Sequence, residues 1–536
     1  MQNQNTTTGQ SQQPNLSQNV GGDQSLNTAS TNVQPLYKSN IDINPSNLSN
    51  TNMQKPNETK TQEPSLFKNK DLLGVFNSGS TSSATNKTDL KGNNANQDFV
   101  GKKKKKPPVL IIFAIFLLVI VGLLFAILLT KNRGTEETTE PTDTEGEIVW
   151  WGLEDANIYK SVITKFESEN KNTKITYIQQ SPDNYRERLT NSLAKGSGPD
   201  VFAYHNSWVP MFRGELDIMP SFVMGAQEFA DTYYPIIAAD LTRSDGVVGL
   251  PLEYDGLVLY MNEDIFASAG KSPPVTWDEF RNLARELTQK DKQGNIIQSG
   301  VSLGPTQNMD HWQELIAFMI FQNHGTPSNP GSSEASEALA YYIKLKNDGN
   351  WSDLLPQSTV AFANGQVAMY FGTTKSVTAI VKTNPDLNFK SIPLPQLRRD
   401  DPLEPDLSYA SYWVQGVWKR SLSRGVAWRF LDFISQPDNL EDVNDQSVAI
   451  NKVGKPYPIV NMAQLLKNDM FSANLINLAP FARSWYLADM TYDGNTGINA
   501  QFADLYEPII NDKGLSNMDT FTVKVNDVLV RFGLTK

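Results

Sequence analysis

Residues 147–536 read as an α/β protein of two lobes, preceded by one transmembrane helix and a disordered tail. Three observations predict this. From Glu147 onward, short apolar strands alternate with segments of helical periodicity. That stretch is longer than a single hydrophobic core ordinarily serves, so two lobes are expected. Ahead of it, "VLIIFAIFLLVIVGLLFAILL", residues 109–129, is apolar without interruption and carries no charge.

Residues 1–101 form the first element. About half of residues 1–100 are Asn, Gln, Ser or Thr, and no tryptophan is present. Such a segment buries too little apolar surface to offset its ordering entropy, which predicts disorder. Its charges nearly balance, so nothing in it argues for nucleic acid. The second element, residues 102–133, is an apolar helix flanked by lysines. At 1.5 Å per residue, residues 109–129 span roughly 30 Å, the thickness of a bilayer core. The run ends in Thr130-Lys131-Asn132-Arg133 with no small-residue cleavage pattern, so it reads as a retained anchor in the lipid bilayer. Lys102 to Lys106 precede it and only Lys131 and Arg133 follow, which places the N-terminus in the cytoplasm and the rest outside the cell membrane. Residues 134–146, "GTEETTEPTDTEG", are expected to be an extended acidic spacer.

All ten tryptophans lie beyond that spacer, and the chain contains no cysteine. Disulfides, thiol catalysis, zinc–thiolate sites and attachment through a lipidated cysteine are therefore excluded. "EIVWWG" predicts a strand, a turn follows, and Ile158, Val162, Ile163 and Phe166 recur at helical spacing. "KITYIQQ" predicts the next strand, Asn184 to Lys195 a polar helix, and "GSGPDVFAYHNSW" a return to strand. This alternation predicts a parallel, doubly wound sheet, whose ligands bind beyond the carboxyl ends of the strands. The stretches to watch are Trp151 to Asp155 and Tyr204 to Trp208. In "SPPVTWDEF", Thr276 suits an N-cap and Asp278 and Glu279 the first helical turn, so Trp277 is expected to pack rather than bind. "STVAFANGQVAMYF" predicts a short helix, a Gly turn and a strand whose exit, Gly372 to Lys375, points into a cleft.

The segments "EIVWWG", "LAKGSGPDVFAYHN", "GLPLEYDGLVLYMNEDIFASAGKSPPVTWDEF", "STVAFANGQVAMYFGTT", "WRFLDFIS" and "FARSWYLAD" occur in an order that resembles extracellular solute-binding proteins of the maltose-binding type, family 1, across essentially all of residues 147–536. The resemblance implies a periplasmic-binding-protein-like (type II) fold. In it, two α/β lobes are joined by hinge strands and close on a ligand like a clamshell. Lobe 1 is expected over about 147–253 and 409–456, and lobe 2 over about 257–397 and 460–536. The implied function is the carbohydrate- or oligosaccharide-binding subunit of an ABC importer, with permease and ATPase subunits as partners and no cofactor.

Sugar recognition needs aromatic faces for pyranose C–H surfaces, with carboxylates and amides for hydroxyls. Placed by the family pattern, the candidates are Glu154 and Asp155 after the first strand, Tyr204 after "GPDVFA", and Asp255 at the first crossing between lobes. Trp312 opens a helix of lobe 2, Tyr412 and Trp413 precede "VQGVWKR", and Trp485 and Tyr486 match a ligand-contacting pair of the maltose-binding relative. For each aromatic, burial between helices is the bland alternative. Where many relatives carry a stacking tryptophan after "AMYF", this chain carries Lys375, which suits an acidic or phosphorylated ligand or a hydroxyl.

An enzyme is the competing class. Only three histidines occur, H-E-x-x-H and G-x-S-x-G are absent, and "AGKSPP" lacks the first phosphate-loop glycine, replaced by Ile265. "DMTYDGNTGIN" lacks EF-hand ligand spacing and reads as a polar loop, so no metal is expected. A carboxylate pair of a hydrolase survives this count, and so does an anchored ligand-binding sensor. The reading is a binding protein and not an enzyme.

Overall fold

The computed structural model describes residues 141–397, 403–486, 493–511 and 517–534. The expected tail, the lysine-flanked anchor and most of the acidic spacer lie outside these residues, as does part of the 489–499 loop. Among the described residues no helix is long and apolar enough to cross a membrane.

The first element of the described residues is β1 (Gly146–Gly152), whose Ile148 and Trp150 turn into the core. Asp155 then caps α1 (Ala156–Glu169), its carboxylate accepting the Asn157 N–H at 2.8 Å. The helix buries Ile158, Tyr159, Val162 and Phe166 on one stripe against the sheet. Next come β2 (Thr173–Gln179), α2 (Tyr185–Ala194) and β3 (Val201–His205). The short helix α3 (Pro235–Leu241) precedes the first passage to the other lobe.

The second lobe holds β4 (Val258–Asn262), β5 (Ile296–Val301), β6 (Val367–Gly372) and β7 (Phe389–Ile392). Its helices include α4 (Trp277–Leu287), α5 (Trp312–Gln322) and α6 (Thr374–Thr383). The Thr276 and Glu279 side chains form a capping box at α4, and Trp277 is fully buried, with its indole N–H donating to Gln322 Oε1 at 2.6 Å. The chain returns to the first lobe through β8 (Trp413–Val417), α7 (Arg424–Ile434) and α8 (Pro437–Asn451). It ends in the second lobe with α9 (Ile498–Ile510) and α10 (Met518–Arg531).

Strand order is β8-β3-β1-β2 in the first sheet, and β7-β4-β6-β5 in the second, which Gln289–Lys290 extends at its edge. The sheets are mixed, not parallel throughout as the alternating pattern predicts. β1 pairs parallel with β2 and β3, but β8 runs antiparallel to β3, because it re-enters from the opposite lobe and needs no crossover helix. In the second sheet β4 is antiparallel to both neighbours, and only β5 and β6 are parallel.

Three chain passages lie side by side between the sheets. Gly256 bridges to Ala410, the Ser411 N–H donates to the Asp255 carbonyl at 2.9 Å, and the Tyr254 N–H donates to the Pro456 carbonyl at 2.7 Å. Glycine is required at 256, since a Cβ there would meet the Tyr409 carbonyl oxygen at 2.1 Å. One apolar cluster runs from the first sheet along these passages to Tyr260, Tyr370 and Phe389 on one face of the second sheet. A second cluster covers the opposite face.

The spacer reading needs one correction. Asp143 accepts the Gly425 and Val426 N–H groups at 2.9 and 3.0 Å, at the start of α7. Ser423, at the N-cap of that helix, makes no side-chain cap, so the orphan donors are met by a carboxylate from a distant part of the chain. The folded part therefore starts ahead of Glu147.

Candidate functional site

The carboxyl ends of β1 and β3 face the second lobe, and two groups of polar side chains gather there. The first is charged. Glu154, just past β1, lies 3.2 Å from Lys375 Nζ in the first turn of α6 and 3.6 Å from Lys455 Nζ. Lys455 also pairs with Glu253 on the first passage. Burial would raise the Glu154 carboxyl, but the two ammonium groups outweigh it and hold it at about 2. Burial pulls Lys455 down, and Glu154 and Glu253 overcome this, so its ammonium is raised above the usual lysine range.

Asp255 sits beside this group at the positive end of α6. Its carboxylate accepts the Gly256 and Thr374 N–H groups at 2.8 and 2.9 Å and the Lys375 N–H at 3.2 Å. Burial nevertheless dominates and pushes its carboxyl up to about 6. The sequence suggests hydroxyl binding for Asp255; the structure gives its oxygens three backbone donors that fix α6 to the first passage. Lys375 Nζ also lies 5.7 Å from the centre of the Trp413 ring.

The second group lines two adjoining cavities of ≈ 410 and ≈ 510 Å³ that share Asn206, Asp240 and Tyr486. Ser207, Phe321, Ser484 and Trp485 also line the smaller one, together with residues of the 326–328 turn and of α10. Asp240, near the end of α3, accepts from Asn206 Nδ2 at 2.9 Å, the Tyr412 hydroxyl at 3.1 Å and the Ser484 hydroxyl at 2.6 Å. One carboxylate thus joins the exit of β3, the approach to β8 and the segment leading to Trp485. The cavity offers amide, hydroxyl and carboxylate groups beside aromatic side chains, a set suited to a polyhydroxylated ligand.

The structure divides the ten predicted residues. Glu154, Asp255 and Lys375 come together in the charged group, and Trp413 joins them through Lys375. Trp485 and Tyr486 line the cavity, and Tyr412 reaches it through Asp240. The other three lie elsewhere. Tyr204 is fully buried and its hydroxyl donates to the Val248 carbonyl at 3.3 Å. Trp312 packs inside the second lobe with its ring 5.4 Å from Tyr506. Asp155 is occupied as the α1 cap. Sequence reasoning missed Asn206, Ser207, Asp240 and Lys455. The first two fall within the stretch flagged after β3; nothing in the local pattern marks the others.

A family profile described as bacterial extracellular solute-binding protein matches residues 150–441. The chain belongs to this family. The solute-binding protein is 24% identical over 310 residues to the maltodextrin-binding protein MdxE of Bacillus subtilis, covering 53% of this chain and 69% of the relative. In three dimensions it is similar to an ABC transporter solute-binding protein of Thermotoga lettingae bound with α-D-tagatose, at TM-score 0.57 and 20% identity, over 72% of this chain and 100% of that one. It is also similar to the sugar-binding protein MalE of Xanthomonas citri, at TM-score 0.56 and 18% identity, over 72% and 98%. These likenesses establish the two-lobed α/β fold of this solute-binding protein.

Proposed function

We propose that the chain binds a neutral carbohydrate or oligosaccharide between its lobes, outside the cell, and presents it to the permease of an ABC importer. The observation that carries this reading is the cavity wall that Asn206, Ser207 and Asp240 of the first lobe share with Trp485 and Tyr486 of the second. Asn206 and Asp240 would meet hydroxyls, and Tyr486 and Trp485 the C–H face of a ring. The maltodextrin, tagatose and sugar named for its relatives favour this ligand class. Glu154 already neutralises Lys375, which argues against an acidic ligand at that point.

In this reading the apolar run 109–129 anchors the protein by a single pass, with the N-terminus inside and the lobes outside. No catalytic role is assigned. The decisive experiment is calorimetry on residues 141–536 with maltotriose, mannobiose, D-tagatose and galacturonate. Saturable binding of at least one neutral sugar with a negative heat-capacity change is expected. Binding of galacturonate alone would overturn the neutral-ligand reading, binding of none would overturn the carbohydrate reading, and release of cleaved sugar would reinstate an enzyme.

A further inference from the structure

Lys375 reaches from one lobe to the other. It stands in the first turn of α6 in the second lobe, and its ammonium lies 3.2 Å from Glu154 and 5.7 Å from the centre of the Trp413 ring, both in the first. A lysine in a first turn opposes the helix dipole, and here the carboxylate that offsets this comes from the opposite lobe. The two ends of the contact differ in surroundings. Glu154 is 18% exposed and keeps a second partner, Lys455, whose ammonium lies 3.6 Å away. Lys455 in turn travels with the first lobe, since its N–H donates to Asn444 Oδ1 of α8 at 2.8 Å. Lys375 is 48% exposed, so water and salt reach it. Separation of the lobes would return Lys375 to water and leave Glu154 paired, which strands neither charge. The backbone is held independently, because the Lys375 N–H donates to Asp255 at 3.2 Å. The side chain can therefore be changed without undocking α6.

We propose that Lys375 is a positioning residue for capture: its contact with Glu154 and Trp413 favours the closed arrangement of the lobes, and does so less as ionic strength rises. The proposal rests on the reading of the interlobe cavity as the binding site. A half-exposed ion pair shifts such a balance by a factor of about two to five at low salt. At about 1 M salt the Debye length is roughly 3 Å, no longer than the pair itself, and the factor is lost. The buried Arg186–Asp493 pair also joins the lobes, but with side chains 5% and 7% exposed it is screened far less. Apparent affinity scales with the fraction of molecules able to close. Lys375 thus makes the capture of an uncharged ligand sensitive to salt, an effect that the ligand's own contacts do not supply.

The test needs no sugar, so its failure is distinguishable from failure of the carbohydrate reading. The chain has no cysteine, and Lys195 in the first lobe and Lys524 in the second are exposed, so spin labels at K195C and K524C in the full-length chain report the interlobe distance. Raising sodium chloride from about 0.01 M to about 1 M shortens the Debye length from roughly 30 Å to roughly 3 Å. The ratio of long-distance to short-distance molecules should rise about two- to fivefold over that range. Lys375→Met keeps an apolar contact to Trp413 and removes the charge. It should show at low salt the ratio that wild type reaches at high salt, and respond little to further salt. Glu154→Gln should behave alike, since Lys455 then retains Glu253. Lys375→Arg should restore the salt response, which a side chain that merely packs would not do. A wild-type ratio independent of salt overturns the proposal, as does a salt response that persists undiminished in both Lys375→Met and Glu154→Gln.

Discussion

Lys455→Met tests the charged group most directly. Lys455 is the one cation touching both Glu154 and Glu253 among the described residues. Glu154 is held at about 2 in the folded protein against an ordinary 4.5, with only 18% of its side chain exposed. That difference is worth about 3 kcal/mol of stability. Because the folded value is the lower one, the contribution is complete above pH 4.5 and is lost as the pH falls from there through about 2. Without Lys455, two carboxylates share a buried site with the half-exposed Lys375, and burial then drives the Glu154 carboxyl above 4.5. The variant should be less stable by about 3 kcal/mol at pH 7. It should recover part of the loss on acidification towards pH 4, where wild type gains nothing from Glu154. Thermal unfolding of both proteins at pH 7, 5.5 and 4 reads this as a gap in Tm that narrows with acid. The Asp255 carboxyl, raised to about 6 by burial and in part by Glu253, also contributes stability as the pH falls through 6, and removal of Lys455 acts on it in the same direction as on Glu154. Equal Tm at pH 7, or a gap independent of pH, refutes the reasoning.

Asp143→Ala should cost about 1 kcal/mol through loss of the α7 cap, and a chain starting at Glu147, which also loses Gly146 from β1, should show at least that deficit against one starting at Pro141 in chemical denaturation. Trp277→Ala should cost about 3–5 kcal/mol while leaving the sugar affinity of the folded fraction unchanged by calorimetry. Asp240→Ala, which removes a hub of three hydrogen bonds at the cavity, should weaken sugar binding by roughly tenfold or more. Protease added to intact cells should release a folded fragment containing both lobes and spare the N-terminal tail.

Local chemistry made part of this molecule readable. Thr276 and Glu279 announced a helix start, and the alternation around "EIVWWG" and "KITYIQQ" announced adjacent strands, because caps and periodicity act over a few residues. Direction within a sheet was less visible. Nothing in "WVQGV" states that the strand arrives from the other lobe, and hence that it runs antiparallel. The site was legible to within a few residues and not to the side chain. Tyr204 and Asn206 are two apart, yet the first ends its path at a buried carbonyl and the second lies beyond the strand at the cavity. Asp240 and Lys455 owe their roles to partners far along the chain, and Asp143 caps a helix 282 positions away, a relation that no window of sequence contains.

The contact of Asp143 with α7 also decides which lobe carries the load. A pull applied at Asp143 is spread into α7 and β1 of the first lobe before it reaches the passages at 254–256 and 409–411. The second lobe takes no part in the contact that Asp143 makes. Under the proposed anchoring, tension at Asp143 bears on the first lobe before it bears on the interlobe passages, so attachment and capture act at different places in the molecule.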